Sequence, residues 1–563
     1  MKRFIKQFTA LLVLASTASS FAIASPAKKL TEEQRIVHVL NRLGFGARPG
    51  DVQRIKAMGL ENYINQQLAP EKIDDAVAEN KVRDLGVLNM TTAELYEKFP
   101  QPGQLLRQLQ NRGLLPKDQE NPGENEQSRK VIEEYYRENN LQRPQRIIAE
   151  LQASRILRAV YSERQLQEVM VDFWTNHFNV FAGKGADRWL LPAYDRDTIR
   201  PHALGKFSTL LQATAQSPAM LFYLDNFQSV NPNMNRPRAQ IQMPMQMPMQ
   251  MNAPAQQMRR GINENYAREL MELHTLGVDG GYTQKDVQEV ARCFTGWTIF
   301  QPRGGAFAAN PLRGEAARRV PGTFFFNART HDDGEKIVLG NKIPSGGGFN
   351  DGTKVLDILA HHPSTAKFIA TKLVRHFVSD NPPPALVKRV ADVFSKTDGD
   401  IRQTLKAIFF SNEFNSAEAY RAKVKRPFEL VISAIRTLGA DTNGGPGTHQ
   451  WIARMGEPLY GFQTPNGYSD AAESWVNTGG LLERMNFGLA LAGNRVQGTR
   501  VDLTKAVKDQ ADKNMLVDES LKMVLVGDVS ASTRETLLKQ LDQADGVSKV
   551  VGLILGTPEF QRQ

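Results

Sequence analysis

Along most of this chain apolar residues recur every three or four positions, the period of a helix with one buried face. Leu30 to Leu43 reads as an amphipathic helix broken by Gly44 and Gly46, and Pro49-Gly50-Asp51 starts the next. Gln104 to Arg112 is helical, and Ser128 to Val160 is one long charged helix or, given Pro144, a pair. Arg164 to Phe178 and Lys354 to Ala360 follow, with a further helix capped by Ser364 or Thr365 and reaching Phe377. Asp398-Gly399-Asp400 and Asp545-Gly546 each open an apolar helix that closes on Glu-Phe, at Glu413-Phe414 and Glu559-Phe560. The period breaks in two places. Thr323 to Asn327 and Lys336 to Gly340 predict a short β-hairpin, and Pro232 to Gln257 is too rich in Pro, Gln and Met to pack as a helix. The fold class expected is mainly α: a multi-helix packed domain with a small β-hairpin element and a disordered Met/Pro/Gln-rich insertion.

One stretch organises the pattern, Asn263 to Trp297. On a helical wheel Tyr266, Leu270, Leu273 and Gly277 share a face, while Glu264, Arg268 and Glu272 line the other, with Asn265 and Glu269 beside them. Gly277 stands where a left-handed C-cap is wanted, and the spacing of Thr283 and Asp286 restarts a helix that runs to Trp297. The polar face has two readings. It is a solvated face laced by i,i+4 ion pairs, or it looks into a cleft where Asn263, Glu264, Asn265 and Arg268 bind a ligand and Glu269 or Glu272 acts as an acid.

Elsewhere candidate chemistry is sparse. On the Arg164 to Phe178 helix, Leu166, Met170, Phe173, Trp174, His177 and Phe178 form an apolar arc, with Glu168, Asp172 and Asn176 opposite. His177 and Asp172 point about 140° apart, so they are no dyad. His177 reads as a core histidine or, in the second reading, a proton carrier or interior metal ligand. His331, Asp332 and Asp333 in the hairpin connection read as turn chemistry or as a divalent-cation site. Met243, Met245, Met247 and Met249 have the thioether spacing that suits Cu(I). The loop Gln463 to Asp470 has aromatic neighbours, Tyr460, Phe462, Tyr468 and Trp475, suited to packing it down or to sugar or peptide contact. There is no Gly-x-Ser-x-Gly elbow, His-Glu-x-x-His, phosphate loop, haem motif or dinucleotide fingerprint. Ser364-x-x-Lys367 lacks the companion motifs of penicillin-binding enzymes. No cofactor is indicated.

Charge and termini change the picture in one respect. Lys2, Arg3 and Lys6, the apolar run Phe8 to Ala15 and the small residues Ala22 and Ala24 spell a Sec-type signal peptide, residues 1–24, cleaved after Ala24 or Ala27. Its loss takes the formal charge from +10 to +7. Lys and Arg are interspersed with acids, so nucleic acid is not indicated. No later stretch approaches the ~18 apolar residues of a membrane span, so no transmembrane segment is expected in the mature chain. The expected location is periplasmic or extracellular. The single cysteine, Cys293, reads as a buried hydrophobe.

Asn263-Glu264-Asn265-Tyr266-Ala267-Arg268-Glu269-Leu270-Met271-Glu272-Leu273-His274-Thr275-Leu276-Gly277, followed by Thr295-Gly296-Trp297-Thr298, resembles the signature of the bacterial family called domain of unknown function 1800. The resemblance extends through Asn41 to Gly46, Asp172 to Phe178, His362 to Ala366, Lys425 to Glu429 and Met455 to Leu459. It implies a large exported protein, in parts 25–231, 258–495 and 496–563 around the 232–257 insertion. It also implies a companion exported protein of the domain of unknown function 1501 family, since the two are often encoded side by side. It names no reaction. The reading that follows is a periplasmic or extracellular binding or assembly protein. The alternative is a secreted hydrolase, metal-assisted or not, with a cleft lined by His177, Arg268 and Glu269.

Overall fold

The computed structural model describes residues 29–116, 125–232, 261–301, 320–504, 512–541 and 546–563. The signal-peptide segment and Met243, Met245, Met247 and Met249 lie outside the described residues. Helices carry the fold, as the apolar period requires, and strands enter only as three antiparallel pairs among the described residues.

Local chemistry sets many helix ends. Thr31 caps the Glu32–Arg42 helix in a reciprocal box with Gln34, and Thr283 does the same for Gln284–Cys293 with Asp286. Pro144 divides Glu126–Glu138 from Gln145–Tyr161. The Pro363–Phe377 helix is capped by neither Ser364 nor Thr365. His362 Nδ1 accepts from the Ser364 N–H at 3.1 Å, and the Thr365 hydroxyl turns back to the Leu359 carbonyl at 2.6 Å. Asp400 caps Ile401–Phe409, and the repeat-like C-terminal helix is Val547–Leu555.

Two expectations about the central stretch are corrected. The helix after Thr283 stops at Cys293. Trp297 opens a strand, Trp297–Phe300, that pairs with Thr323–Phe326, Trp297 opposite Phe326. The strand Lys336–Val338 therefore does not pair with Thr323–Phe326; it turns at Leu339-Gly340 onto Asn341–Ile343. The expected hairpin is two hairpins. The reason is local: Leu339 and Gly340 both hold positive φ, 49° and 76°, which makes a two-residue turn. Second, the Asn263 to Gly277 run is not α-helical throughout. Glu264–Glu269 is α and Leu270–Thr275 is a π turn. That wider turn shifts the wheel, so Tyr266, Ala267, Leu270, Met271, His274 and Thr275 are buried while Leu273 is only partly so. Gly277 takes the left-handed conformation expected of it, φ 82°.

One hydrophobic core runs from Ile36 to Phe560 and joins the first helix to the last. The Gln145–Tyr161 and Pro427–Thr437 helices are buried on nearly every face. A helix buried all round must bury its charges too, and those charges lead to the site.

Candidate functional site

The Gln165–His177 helix, whose polar side was expected to be simply opposite its apolar arc, has both sides buried. Asp172 receives Arg155 at 2.7 Å and also Arg426, which stands at the N-cap of Pro427–Thr437. Arg426 in turn holds Glu457 at 2.7 Å, and Glu457 accepts the Phe428 N–H at 2.8 Å. Glu168 is held by Arg200 at 2.6 Å, and Asp195 sits 3.6 Å from both Arg155 and Arg200. Burial works against the Arg426 charge, but Glu457 and Asp172 outweigh it and hold its pKa well above the ordinary value. The arginines and acids of this network contact one another, which is the condition for keeping charge there, but at Glu457 burial outweighs Arg426 and raises the carboxyl to about 7.

Beside this network lies a polar cleft of about 670 Å³. Asn176 and His177 reach it from the end of one helix, and Lys372, Arg375 and His376 from one face of Pro363–Phe377. Residues 466–473 close it. That loop is fastened rather than loose. Asn176 accepts the Tyr468 N–H at 2.7 Å and donates to the Tyr468 carbonyl at 2.8 Å. Asn179 donates to the Phe462 and Thr464 carbonyls, and Trp475 Nε1 to Ser469. Gly467 is held at φ 70°, and a Cβ there would stand 2.2 Å from the Asn176 carbonyl oxygen. The aromatic residues around the loop pack it down: the Tyr468 hydroxyl donates to the Pro458 carbonyl at 2.8 Å.

Two of the three acids that line the cleft are already engaged, and the third, Glu473, is exposed at its rim. Asp470 accepts from His376 Nδ1 at 3.1 Å, and Asp380 takes Lys423 and the Ala472 N–H. Burial alone would raise the Asp470 carboxyl; His376, Lys423 and Arg426 outweigh it and hold it far below the usual range. Two cations have no such partner. Among the described residues neither Lys372 nor Arg375 has a hydrogen-bond acceptor or an ion pair; Lys372 lies 5.6 Å from the Phe368 ring centre. Burial pushes the Lys372 amine down to about 8, with Asp470 opposing and Arg375 reinforcing.

His177 adds an acceptor. Its Nε2 lies 3.1 Å from the His274 carbonyl oxygen. A carbonyl only accepts, so Nε2 carries the proton. Burial, with Lys372 and His274 adding to it, holds the ring's pKa well below the ordinary histidine value, so the ring is neutral. Its Nδ1 is then a bare lone pair, and it has no partner among the described residues. The π turn supplies the His274 carbonyl that fixes this tautomer.

The other predicted residues lie elsewhere. Arg268, Glu269 and Glu272 do not line this cleft. Arg268 stands 3.7 Å from Glu264 and donates to Gln284 at 2.8 Å, and Gln284 donates back to Glu264 at 2.6 Å. Glu272 accepts from the Tyr282 hydroxyl at 3.0 Å. Glu269 is half-buried; burial and Glu272 raise its pKa. Asn263 caps the helix through the Asn265 N–H and ties it to the Leu224 carbonyl, to which Asn265 also donates. His331 is buried between the Thr295 carbonyl at 2.8 Å and Asp351 at 3.1 Å, and Asp351 holds Lys336 at 2.5 Å. Asp332 is engaged by Arg292, and Asp333 is exposed, 4.0 Å from His331. Among the described residues no group of three or more His, Cys, Asp or Glu is arranged to hold a metal ion.

Lys372, Arg375, His376 and Asp470 were not singled out from sequence. The available signal was Lys372, Arg375 and His376 at i, i+3 and i+4, a one-sided basic face on a helix that carries no acid. The quoted motifs were better guides, since Asp172 to Phe178, Lys425 to Glu429 and Met455 to Leu459 all converge here. Comparison with curated proteins and with solved structures returned no match. The motifs that converge at the cleft fall within residues 38–562, which match the model of the family described as Protein of unknown function (DUF1800), and the chain belongs to that family.

Proposed function

We propose that this is an exported binding protein, periplasmic or extracellular, that seats an anionic group of its ligand in the cleft of Lys372 and Arg375. The observation that carries the reading is a pair of cations without an ion pair, Lys372 and Arg375, in a polar cleft whose two partly buried carboxylates, Asp470 and Asp380, are already engaged. A desolvated ammonium beside a guanidinium is costly unless an anion joins them. In the adjoining network each buried charge has that partner within the chain; here the ligand supplies it. Residues 1–24 provide the export signal, and a companion of the domain of unknown function 1501 family is the expected partner in assembly. Calorimetry of the mature protein with inorganic phosphate, sulfate and acetate tests the cleft. Saturable binding lost in Lys372→Met supports the reading, and no binding of any anion overturns it.

A second reading, a hydrolase, has one specific observation behind it. Asp470 orients His376 at 3.1 Å in the same cleft, the arrangement that prepares an imidazole as a general base. In this form of the reading proton carriage falls to His376, and not to His177, Arg268 or Glu269. Turnover that disappears in His376→Gln while anion binding persists would favour it.

A further inference from the structure

Away from the cleft, a lysine, an acid and a histidine meet in the interior. Lys336 opens the strand Lys336–Val338, and its Nζ lies 2.5 Å from Oδ2 of Asp351, in the first turn of the Phe349–Ala360 helix. The two side chains are 0% and 2% exposed, and His331, 1% exposed, reaches the same oxygen through Nε2 at 3.1 Å. Phe326 stands edge-on to the His331 ring, and Phe349, packed on Phe326, stacks on Trp297. The buried acid Asp172 is paired with arginines, which do not give up a proton; a lysine amine does, and is then a nucleophile. His331 Nδ1 lies 2.8 Å from the Thr295 carbonyl, which only accepts, so Nδ1 carries a proton. A second proton must then lie between Nε2 and Asp351 Oδ2, on one or the other. On Oδ2 it makes Asp351 a carboxylic acid hydrogen-bonded to a neutral ring. Lys336 beside it then has no anion to meet, and as an amine it leaves the trio without charge. The acids nearby do not change this: Asp332 is paired with Arg292, and Asp333 is exposed to water. The trio is thus an amine held against a carboxylic acid in a dry site, with an imidazole on one carboxyl oxygen. Those are the parts of an amide condensation.

We propose that Lys336 and Asp351 are joined by an isopeptide bond that the fold makes by itself. The Lys336 nitrogen attacks Asp351 Cγ, the new C–N bond replaces the Cγ–Oδ2 bond, His331 carries a proton from the amine to Oδ2, and one water leaves. No oxidant or outside group takes part. The nitrogen keeps one hydrogen, and the Asp332 carbonyl, already bonded to Nζ, accepts it. The amide removes two ionisable groups from the interior and ties the second hairpin to the Phe349–Ala360 helix. The test is mass spectrometry of the whole protein, unfolded and digested with trypsin. Trypsin does not cut beside an acylated lysine, so residues 330–342 should be found joined to 343–354, lighter by one water than the two peptides together. Separate peptides 330–336 and 343–354 at their full masses overturn the proposal. So does a water lost within 343–354 alone, which is a succinimide at Asp351-Gly352. Lys336→Arg and Asp351→Ala should each abolish the joined species. His331→Ala should slow joining by about a hundredfold, followed in freshly made protein; joining at the full rate overturns the role given to His331. Should any variant fail to fold, the peptides of the unaltered chain still decide.

Discussion

Lys372 is the residue on which pH should act. It faces Arg375 on its own helix, Asp470 from the loop and the neutral His177 and His274 rings. Its pKa of about 8 means the ammonium is present below that value and lost above it. Anion affinity should therefore be flat to about pH 7.5 and fall roughly tenfold per unit above about pH 8.5, which calorimetry across that range checks. The sign for folding is opposite. The unfolded chain keeps its proton up to the ordinary value of 10.5, so it binds more protons than the folded chain in between, and this group's contribution to stability rises with pH. Arg426 behaves differently, because its charge is fully matched. Arg426→Ala takes the ion-pair partner from buried Glu457 and leaves Asp172 to Arg155 alone, and should cost about 3–5 kcal/mol in urea denaturation. Cys293, buried and with its thiol pushed up to about 12, should not react with a thiol reagent until the protein unfolds.

At the scale of elements, the loop over the cleft and the charged face of the central helix make contrasting predictions. Gly467→Ala combines a left-handed φ with a Cβ placed against the Asn176 carbonyl. The loop has to move, so ligand binding should fall while the helical circular dichroism is kept. Arg268→Ala touches a pair that is more than a third exposed on both sides. Its cost should stay near ~0.3–0.5 kcal/mol, read from thermal unfolding, because water already screens the pair. A larger loss would mean that the Gln284 link to the next helix contributes more than the ion pair. Sequence periodicity found both helices of that pair but not the π turn between them. A π turn adds one residue per turn without altering the apolar composition, so a wheel drawn at 3.6 residues slips only beyond it. The hairpins were misassigned for a related reason: the short segments Thr323–Phe326 and Lys336–Val338 were visible, whereas their pairing depends on which turn closes first.

Over the whole molecule the C-terminal residues are tied into the body of the fold. The Lys423 and Lys425 N–H groups donate to Gln563 and Gln561, Arg484 donates to Gln561 at 2.8 Å, and Phe560 is buried in the common core. Removing residues 557–563 should lower stability by about 3–5 kcal/mol in urea denaturation, the cost of emptying one large aromatic site. The sequence by itself determined the helical class, most helix starts, the left-handed Gly277, the buried cysteine and the family. These follow from short-range rules: apolar period, caps, turn residues and ordered motifs. Only the tertiary structure decided which charges are neutralised and which are left open. Asp172, Arg426 and Glu457 are far apart in the chain, and so are His177, Lys372 and Asp470. Whether a charged side chain meets a counter-ion, water or an empty cleft depends on what packs against it, and that is a property of three-dimensional neighbours that no local pattern encodes.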